Sequence, residues 1–317
     1  MTSSKNLTRN SVNLRFSLMS PEHFYLSMSQ TLPPHKIECH VTVTSSEDNA
    51  ASILSNESQL SKQLIKQAMT KGAVWHTRGQ NTSRLRRGKK SLKIGDELHL
   101  YYNQEVLEHQ VDDAELIADL GQYSLWYKPY GMLCQGSKWG DHTTINRYAE
   151  TRLTPDRPAF IIHRLDRAAT GLVLIGHSKG VTAALAKLFE VRALDKYYQV
   201  IVEGNFATLA TDNESNQSVT IATDVDGKSA CSHATLIRYD AEQNRSLVQV
   251  NIESGRKHQI RIHMASIGFP VVGDRQHGIA TEDEINLQLT SCYLKFPCPI
   301  TGEIKEFELP ERLRPKL

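Results

Sequence analysis

Long apolar runs are missing from this sequence, and their absence bears on where the protein works. No uninterrupted apolar stretch among the 317 residues reaches about eighteen, the length that a membrane-spanning helix needs. The N-terminus is rich in Ser, Asn and Thr and lacks the apolar core of a secretory signal peptide. We therefore expect a cytoplasmic protein without a membrane-spanning segment.

Cysteines are also few, and their spacing argues against a disulfide framework or a zinc site. The five cysteines are scattered without a C-x-x-C pair: Cys39, Cys134, Cys231, Cys292 and Cys298. An odd, scattered set is typical of reduced thiols in a cytosolic protein. The 13 histidines invite a metal hypothesis, but the sequence has no H-E-x-x-H motif. We expect no metal and no cofactor.

Charge is nearly balanced overall but unevenly distributed. The chain has 39% hydrophobic and 23% charged residues with a net charge of +2, as ordinary globular proteins do, and it is long enough for one large domain and one small one. Residues 61–95 contain ten Lys or Arg and no Asp or Glu, whereas residues 96–119 contain eight Asp or Glu and no Lys or Arg. This segregation predicts a small basic module followed by an acidic linker.

The basic module combines a predicted helix with a dense run of cations. Apolar residues at 60, 64, 65, 68 and 69 have helical spacing, and residues 94–100 read as a turn and a strand. Residues 78–87 read as a basic loop. Six cations lie within ten residues that begin inside this loop: Arg84, Arg86, Arg87, Lys89, Lys90 and Lys93. A solvated surface is the alternative, but cations without carboxylates favour phosphate contacts, so we expect these six to bind RNA.

A second stretch concentrates ionisable residues between two predicted buried strands. Apolar runs at 160–162 and 172–175 are bounded by Pro and Gly, and residues 163–167 between them read His-Arg-Leu-Asp-Arg. Charges beside core strands are costly unless they are paired or used. The pattern alone leaves two interpretations open, a solvated turn or a functional site.

Two motifs resemble the signatures of the RluA-type pseudouridine synthases. The first is His-Arg-Leu-Asp at 163–166 followed by Thr-Gly-Leu at 170–172, although Ala169-Thr170 stands where the family usually has Thr-Ser. The second, at 255–263, reads Gly-Arg-Lys-His-Gln-Ile-Arg-Ile-His and is followed by Gly-x-Pro and Gly-Asp. His277 stands where the family often has Tyr. Matching Lys-Pro-x-Gly and Lys-x-Tyr segments start at Lys128 and Lys196, so the resemblance covers residues 120–312.

The resemblance implies roles for individual residues. Asp166 would be the catalytic nucleophile, held by Arg261 from a distant strand. Strand alternation places Tyr198 on the opposite face from Tyr197, so Tyr198 would contact the uracil and serve in proton transfer. The remaining expected substrate contacts are Lys128, His163, Arg164, Lys196, Lys257, His258 and Gln259. For His163, Arg164, Lys257 and His258, ordinary surface charge is the alternative to a phosphate contact.

The implied chemistry needs one ionised carboxylate and neither redox chemistry nor a metal. Conversion of uridine to pseudouridine breaks the N-glycosidic bond, turns the uracil, and rejoins it through carbon 5. The carboxylate either attacks the anomeric carbon or stabilises an oxocarbenium-like species that loses a proton from carbon 2 of the ribose. Arg261 suits Asp166 as a partner because a guanidinium stays charged when buried and can bind both oxygens.

The implied fold is α+β, with a mixed, mainly antiparallel central sheet, flanking helices, and a small N-terminal α/β RNA-binding domain. Residues 1–55 are expected to be weakly organised. Residues 56–104 partly resemble the S-four-like RNA-binding domain, 105–119 would form the acidic linker, and 120–317 would form the catalytic domain.

These observations favour a monomeric RNA pseudouridine synthase with RNA as its partner. Large-subunit ribosomal RNA is the expected target, because a basic module before the catalytic domain resembles the family's ribosomal modifiers. Transfer RNA is the alternative target. An inactive RNA-binding protein of the same fold would need a lost aspartate or arginine, and both are present. A glycoside hydrolase built on Asp166 with Glu190 or Glu203 lacks a matched second carboxylate motif.

Overall fold

The computed structural model describes residues 35–209, 218–279 and 285–317. Residues 1–34 of the segment predicted to be weakly organised therefore lie outside the described residues. Within the described ranges the chain forms a four-stranded sheet and a ten-stranded sheet. No helix in these ranges is both long and apolar enough to cross a membrane.

The four-stranded sheet and two helices form a small module at residues 36–103. All its strand pairs are antiparallel, in the order β1-β4-β2-β3. The strands are β1 (Lys36–Thr42), β2 (Val74–Arg78), β3 (Asn81–Arg84) and β4 (Glu97–Asn103). Helices α1 (Ala50–Ser58) and α2 (Lys62–Thr70) begin at Asn49 and Ser61, whose side chains accept the N–H groups of Ser52 and Leu64. Leu54, Ile65 and Met69 of these helices are buried in the core of the module.

This module differs in extent from the range 56–104 expected from the sequence. Strand β1 already belongs to it, because Ile37, Cys39 and Val41 alternate along the strand and pack against the module's core. Residues 78–87, expected to be a loop, instead contribute to a hairpin in which Trp75 pairs with Arg84. Arg84 therefore lies on a strand.

The ten-stranded sheet is antiparallel except where β8 and β13 run parallel, in the order β10-β11-β12-β9-β13-β8-β6-β5 with β14 on β13 and β7 on β8. Its strands are β5 (Glu115–Asp119), β6 (Tyr123–Lys128), β7 (Phe160–Ile161), β8 (Thr170–Gly176), β9 (Asp195–Glu203), β10 (Ser218–Ile221), β11 (Ser232–Asp240), β12 (Arg245–Ile252), β13 (Leu289–Pro297) and β14 (Ile304–Glu308). Helices α4 (Ile145–Arg152), α5 (Lys179–Glu190) and α6 (Gln259–Ser266) accompany this sheet, whereas α3 (Gln104–Glu108) packs its buried Leu107 into the core of the small module. The predicted α+β class with a mixed, mainly antiparallel sheet is confirmed.

The segment 105–119, expected to be an acidic linker, is largely ordered into this architecture. It contains most of α3 and all of β5, which pairs antiparallel with β6 at the edge of the large sheet. The charged residues Glu115 and Asp119 lie at the two ends of β5. Charges on an edge strand discourage pairing with another chain, which accounts for an acidic composition in an ordered segment.

Gly171 is required where β8 meets β13. Its φ is +107°, and a Cβ added there would lie 2.2 Å from the carbonyl oxygen of Ser291 on β13. Only glycine allows both this backbone conformation and this close approach. The glycine of the first motif thus sets how closely the strand that follows the Asp166 loop packs in the sheet.

Two arginines of the basic run attach the small module to the domain of the large sheet. Arg84 Nε lies 3.0 Å from Asp141 Oδ2, and Arg86 also binds this oxygen. Arg84 further donates to the carbonyl oxygen of Ser137 at 2.8 Å. Arg84 and Arg86 were predicted to contact RNA, but in the folded chain their guanidinium groups are used by Asp141. A carboxylate placed 55 residues later along the chain than Arg86 is not visible as a partner in the local charge pattern.

Replacing Asp141 should loosen this attachment. In Asp141→Asn the two guanidinium groups lose their shared anion while remaining largely buried, so we expect the free energy of unfolding to fall by about 3 kcal/mol. Urea denaturation monitored by tryptophan fluorescence would measure the loss. Glu38→Gln is the matched control, because Glu38 pairs with Lys138 across the same junction but at an exposed site. Equal effects of the two substitutions would contradict this account.

Candidate active site

Asp166 lies in the loop between β7 and β8, and backbone hydrogen bonds fix this loop. The Asp166 carbonyl accepts the Ala169 N–H at 3.1 Å, and the Arg167 carbonyl accepts the Gly131 N–H at 3.0 Å. The buried Leu165 side chain anchors the loop in the main core. The carboxylate is thus presented by a rigid turn, with 25% of its side chain exposed.

Lys128 supports this loop from below. Its side chain is fully buried, and its Nζ donates to the carbonyl oxygens of Pro129, Met132 and Arg167 at 3.0, 2.9 and 3.3 Å. Burial lowers the pKa of Lys128 to about 8. The sequence predicted a substrate contact for Lys128, whereas the structure places its ammonium group on three backbone carbonyls beneath the Asp166 loop.

Arg261 reaches Asp166 from helix α6, not from a strand as expected. The residues between 259 and 266 form a helix because Ile260 and Met264, four apart, are both buried on one face. The Arg261 guanidinium lies with its Nη1 3.6 Å from Asp166 Oδ2. Two positions separated by 95 residues in sequence are thereby brought into an ion pair.

Asp274 holds Arg261 in this position. Arg261 donates from Nε to Asp274 Oδ2 at 2.8 Å and from Nη2 to Asp274 Oδ1 at 2.5 Å. Burial opposes the charge of Arg261, but hydrogen bonding to Asp274 and the charges of Asp274 and Asp166 outweigh it and raise the Arg261 pKa. Burial likewise opposes the charge of Asp274, yet Arg261 and two backbone N–H groups lower its pKa. Both groups therefore stay ionised in the buried site.

His258 is the second cation candidate beside Asp166. It precedes α6 with a left-handed φ of 56°, which turns its ring so that Nε2 lies 3.8 Å from Asp166 Oδ2. Its Nδ1 lies 3.0 Å from His277 Nε2. Burial keeps the pKa of His258 below its usual value despite the nearby carboxylate. Near neutral pH the ring is thus mainly an uncharged hydrogen-bonding group next to Asp166.

Tyr198 faces the same cavity as Asp166, and Tyr197 packs on the other face of β9 against Tyr293, with 5.2 Å between ring centroids. Burial, then the charges of Asp166 and Cys134, raise the pKa of Tyr198 well above its usual value. The hydroxyl group therefore stays protonated and can donate a hydrogen bond.

Two adjacent cavities open on Asp166. Their volumes are about 280 and 350 Å³, and both are lined by Arg164, Leu165, Asp166 and His258. Asp166 is the only carboxylate among the described residues that line them. Exposed cations surround the openings: Arg164, Arg167, Arg256, Lys257 and Arg275. The sequence predicted Arg164 and Lys257 as contacts. It missed Arg167 and Arg256, although both lie within the quoted motif stretches, and it missed Arg275.

The other predicted substrate residues have mixed placements. His163 stacks on Phe189 with 4.3 Å between ring centroids, accepts the Leu174 N–H, and has its pKa lowered to about 3 by burial. A neutral His163 cannot hold a phosphate as a cation, so it forms part of the cavity wall. Lys196 lines the first cavity beside Phe189, where burial lowers its pKa.

Gln259 is used by the protein itself. Its side-chain carbonyl accepts from Ser254 Oγ at 2.7 Å and from the Arg256 N–H at 3.2 Å. Its amide donates to the Cys231 carbonyl and to Ser232 Oγ. The side chain was predicted to contact substrate. Two of its four hydrogen bonds tie α6 to the start of β11, and the other two hold the turn before α6. The residue also lines the first cavity.

The rest of the basic run lies on the small module. Arg87, Lys89, Lys90 and Lys93 are exposed, and Lys90 Nζ also lies 3.0 Å from His76 Nδ1. Of the six cations predicted to contact RNA, four are thus exposed to solvent.

Asp274 is the functional residue that sequence reasoning missed. Its side chain has no exposed surface, and a buried aspartate requires a cationic partner. The available signals were the apolar pair Val271-Val272 just before Gly273, which predicts burial, and the place of Asp274 in the Gly-Asp that follows the second motif. Only the fold shows that the partner is Arg261.

Comparisons with known proteins match the part of the chain that carries this site. Residues 122–266 match the family model of the RNA pseudouridylate synthases. The chain contains an RNA pseudouridylate synthase domain. Asp166 and Arg261 both lie within the matched range, while Asp274 lies just beyond it.

Curated relatives agree with this similarity, and a solved structure shares the fold. An uncharacterised RNA pseudouridine synthase of Bacillus subtilis, YlyB, is 33% identical over 159 residues, which cover 47% of this chain and 51% of the relative. The ribosomal large subunit pseudouridine synthase D of Zymomonas mobilis is 30% identical over 172 residues, covering 49% and 54%. The chain thus spans about half the length of these relatives. The human RNA pseudouridylate synthase domain containing 1 shares the fold, with a TM-score of 0.52 and 19% identity over 64% of this chain and 85% of that one.

The two carboxylates on Arg261 should differ in their contribution to stability. Asp274→Asn leaves a buried guanidinium without its bidentate partner, so we expect the free energy of unfolding to fall by about 3 kcal/mol. Asp166→Asn removes a partly exposed carboxylate and should change stability much less. Chemical denaturation of the two variants in parallel would measure the difference, and a larger loss in Asp166→Asn would contradict the assignment of Asp274 as the structural anchor.

Proposed function

We propose that the protein isomerises specific uridines in RNA to pseudouridine, with Asp166 as the catalytic carboxylate. The observation that carries this proposal is the Asp166–Arg261 ion pair at the junction of two cavities that otherwise lack carboxylates among their described lining residues. A lone carboxylate paired with a buried guanidinium fits a reaction that needs one anion and no second acid–base carboxylate.

Arg261 serves this reaction by orienting Asp166 and by placing a fixed positive charge beside its carboxylate. Because Asp274 takes Nε and Nη2, only Nη1 is directed toward Asp166. The contact of 3.6 Å is looser than a direct hydrogen bond, so the Asp166 oxygens remain able to approach the anomeric carbon or to face a developing oxocarbenium ion. Tight bidentate pairing would have reduced their reactivity.

Tyr198 supplies a protonated hydroxyl and an aromatic ring inside the cavity. The ring can pack against the detached uracil while it turns, and the hydroxyl can donate to a uracil oxygen. Its raised pKa favours hydrogen-bond donation over acting as a base.

The rim of cations fits an RNA strand whose target base is turned out of its stack. A uridine within a helix cannot reach the carboxylate, and unstacking costs a few kcal/mol, so loop and bulge uridines are favoured. Arg164, Arg256 and Lys257 at the openings would bind the flanking phosphates. Arg87, Lys89 and Lys93 would bind RNA farther from the site.

Large-subunit ribosomal RNA is the target that we infer. Two observations support this target: the basic module that precedes the synthase-like region, and the similarity to the ribosomal large subunit pseudouridine synthase D of Zymomonas mobilis. Transfer RNA is the alternative. Sequencing pseudouridines in ribosomal and transfer RNA from cells lacking the gene would distinguish the two. An unchanged pattern in both, with an active purified protein, would point to another RNA.

The decisive variant is Asp166→Asn. It keeps the shape of the side chain but removes the anion, so release of tritium from carbon 5 of labelled uridine in RNA should be abolished. RNA binding, measured by filter retention, should be largely intact because the cationic rim is unchanged.

Asp156→Asn is the matched control, because Asp156 is an exposed aspartate outside both cavities. It should release tritium at the wild-type rate. Turnover by Asp166→Asn above background would refute the catalytic assignment. Absence of turnover in the wild-type protein on all RNA tested, with binding retained, would favour the inactive RNA-binding alternative.

RNA binding should also depend on the exposed cations of the small module. Replacing Arg87, Lys89 and Lys93 together with alanine removes up to three phosphate contacts. The plot of log affinity against log salt should become less steep by about 2, at about 0.7 per contact for a single strand.

The control variant replaces Lys187, Lys295 and Lys305 with alanine. These lysines also lie at the surface, Lys187 exposed and Lys295 and Lys305 partly buried, but each is paired with a glutamate. The same slope in both triple variants would show that the small module does not contribute to RNA binding.

A further inference from the structure

A cysteine, a histidine and a glutamate meet outside the two cavities. Cys231 directly precedes β11, His233 is its second residue, and Glu253 directly follows β12. Residues two apart on a strand point to the same face, so Cys231 and His233 project together. The Glu253 N–H donates to the Cys231 carbonyl, which places Glu253 across from Cys231.

The three side chains lie close enough together to share one metal ion. Cys231 Sγ lies 3.6 Å from His233 Nε2, and this nitrogen lies 2.9 Å from Glu253 Oε1. All three ligand atoms are within 4.8 Å of one another. For Zn–S and Zn–N bonds of about 2.3 and 2.05 Å at a tetrahedral angle, the S···N separation is about 3.6 Å, which matches the observed distance.

The orientation of the His233 ring supports ligation through Nε2. Its Nδ1 lies 3.1 Å from Thr220 Oγ1 on the neighbouring strand β10. When Nδ1 carries the proton and donates it to this hydroxyl, the lone pair of Nε2 points at the carboxylate of Glu253. Two acceptors only 2.9 Å apart need a cation between them, either a proton or a metal ion. A hydrogen bond from the other ring nitrogen, such as that between Nδ1 and Thr220, is usual for histidines that bind metals.

We propose that Cys231, His233 and Glu253 bind a borderline divalent cation of the Zn²⁺ class, with water as the fourth ligand. This proposal does not rest on the proposed function. Imidazole, thiolate and carboxylate together suit Zn²⁺ better than Mg²⁺ or Ca²⁺, which prefer oxygen ligands. The sequence predicted no metal because the ligands follow no familiar motif: Cys231 and His233 are two residues apart at the start of β11, and Glu253 comes 20 residues after His233.

The bound ion would act as a structural clamp near the active site. It would join the start of β11 to the end of β12, and the Cys231 carbonyl also accepts from Gln259 at the start of α6. Because α6 carries Arg261, the clamp would stabilise the segment that positions the guanidinium against Asp166. None of the three ligands lines either cavity, so no catalytic role is assigned to the ion.

Arg192 gives the site a characteristic electrostatic property. Its Nη1 lies 4.0 Å from Glu253 Oε2, where its positive charge competes with a bound cation for the carboxylate. Removing this charge should therefore strengthen metal binding, whereas an unrelated surface mutation would not.

Titration of the metal-free, full-length protein with Co²⁺ tests the proposal, because a thiolate ligand produces a sulfur-to-cobalt charge-transfer band. We expect one ion per chain, displacement by Zn²⁺, and a Zn²⁺ dissociation constant tighter than about 10 µM. Cys231→Ser should remove the band, and His233→Ala should weaken binding at least tenfold. Cys39→Ser, which alters another half-buried thiol in the small module, should bind like the wild type.

Arg192→Asn tests the direction of the electrostatic effect, since Asn tolerates the left-handed φ of 59° at this position. It should bind Zn²⁺ severalfold more tightly. Circular dichroism would establish that each variant is folded, and Glu253→Gln provides a second ligand variant of nearly the same shape. The proposal is overturned if no band forms in the folded wild-type protein, if Cys231→Ser keeps the band, or if the ligand variants bind Zn²⁺ as tightly as Cys39→Ser.

Discussion

One guanidinium shared by two carboxylates is the interaction on which the candidate active site depends. Asp274 has no exposed surface and takes two of the Arg261 N–H groups, so the position of Arg261 is set by the protein before any RNA binds. The remaining nitrogen of the guanidinium, Nη1, lies 3.6 Å from Asp166 Oδ2. The two carboxylates thus have different roles. Asp274 offsets the desolvation cost of burying the Arg261 guanidinium, and the partly exposed Asp166 keeps its oxygens accessible to a substrate.

The surroundings of this pair are arranged to keep it fixed. Lys128 holds the carbonyls beneath the Asp166 loop, and Gly171 lets the strand after that loop pack closely against β13. Gln259 ties the start of α6 to β11. The motif residues therefore divide into a few that face the cavity and several that hold those few in place, which is why pattern alone assigned too many of them to substrate.

The sequence predicted the fold class. The two motifs named Asp166 and Arg261, and the Lys-x-Tyr segment named Tyr198, and the structure brings the three around one site. It failed where the deciding contact is distant along the chain. Arg84 and Arg86 look like phosphate contacts until Asp141 is found beside them, and Asp274 carries no local sign of its partner. It also assigned Arg261 to a strand, whereas the residue lies on helix α6, in which Ile260 and Met264 are both buried.

The docking of the small module through Asp141 has a geometric consequence for substrate choice. A module on a flexible tether could follow an RNA of any shape, and its cations would add affinity alone. The small module is instead attached to the domain of the large sheet through Asp141. The distance between its exposed cations at 87–93 and Asp166 is therefore expected to be fixed. If an RNA binds to the small module and to the candidate active site at once, only a nucleotide at that distance from the module can reach Asp166. Under the proposed function, the target uridine would then be selected by its distance from the segment bound to the small module, and not by contacts to the neighbouring bases.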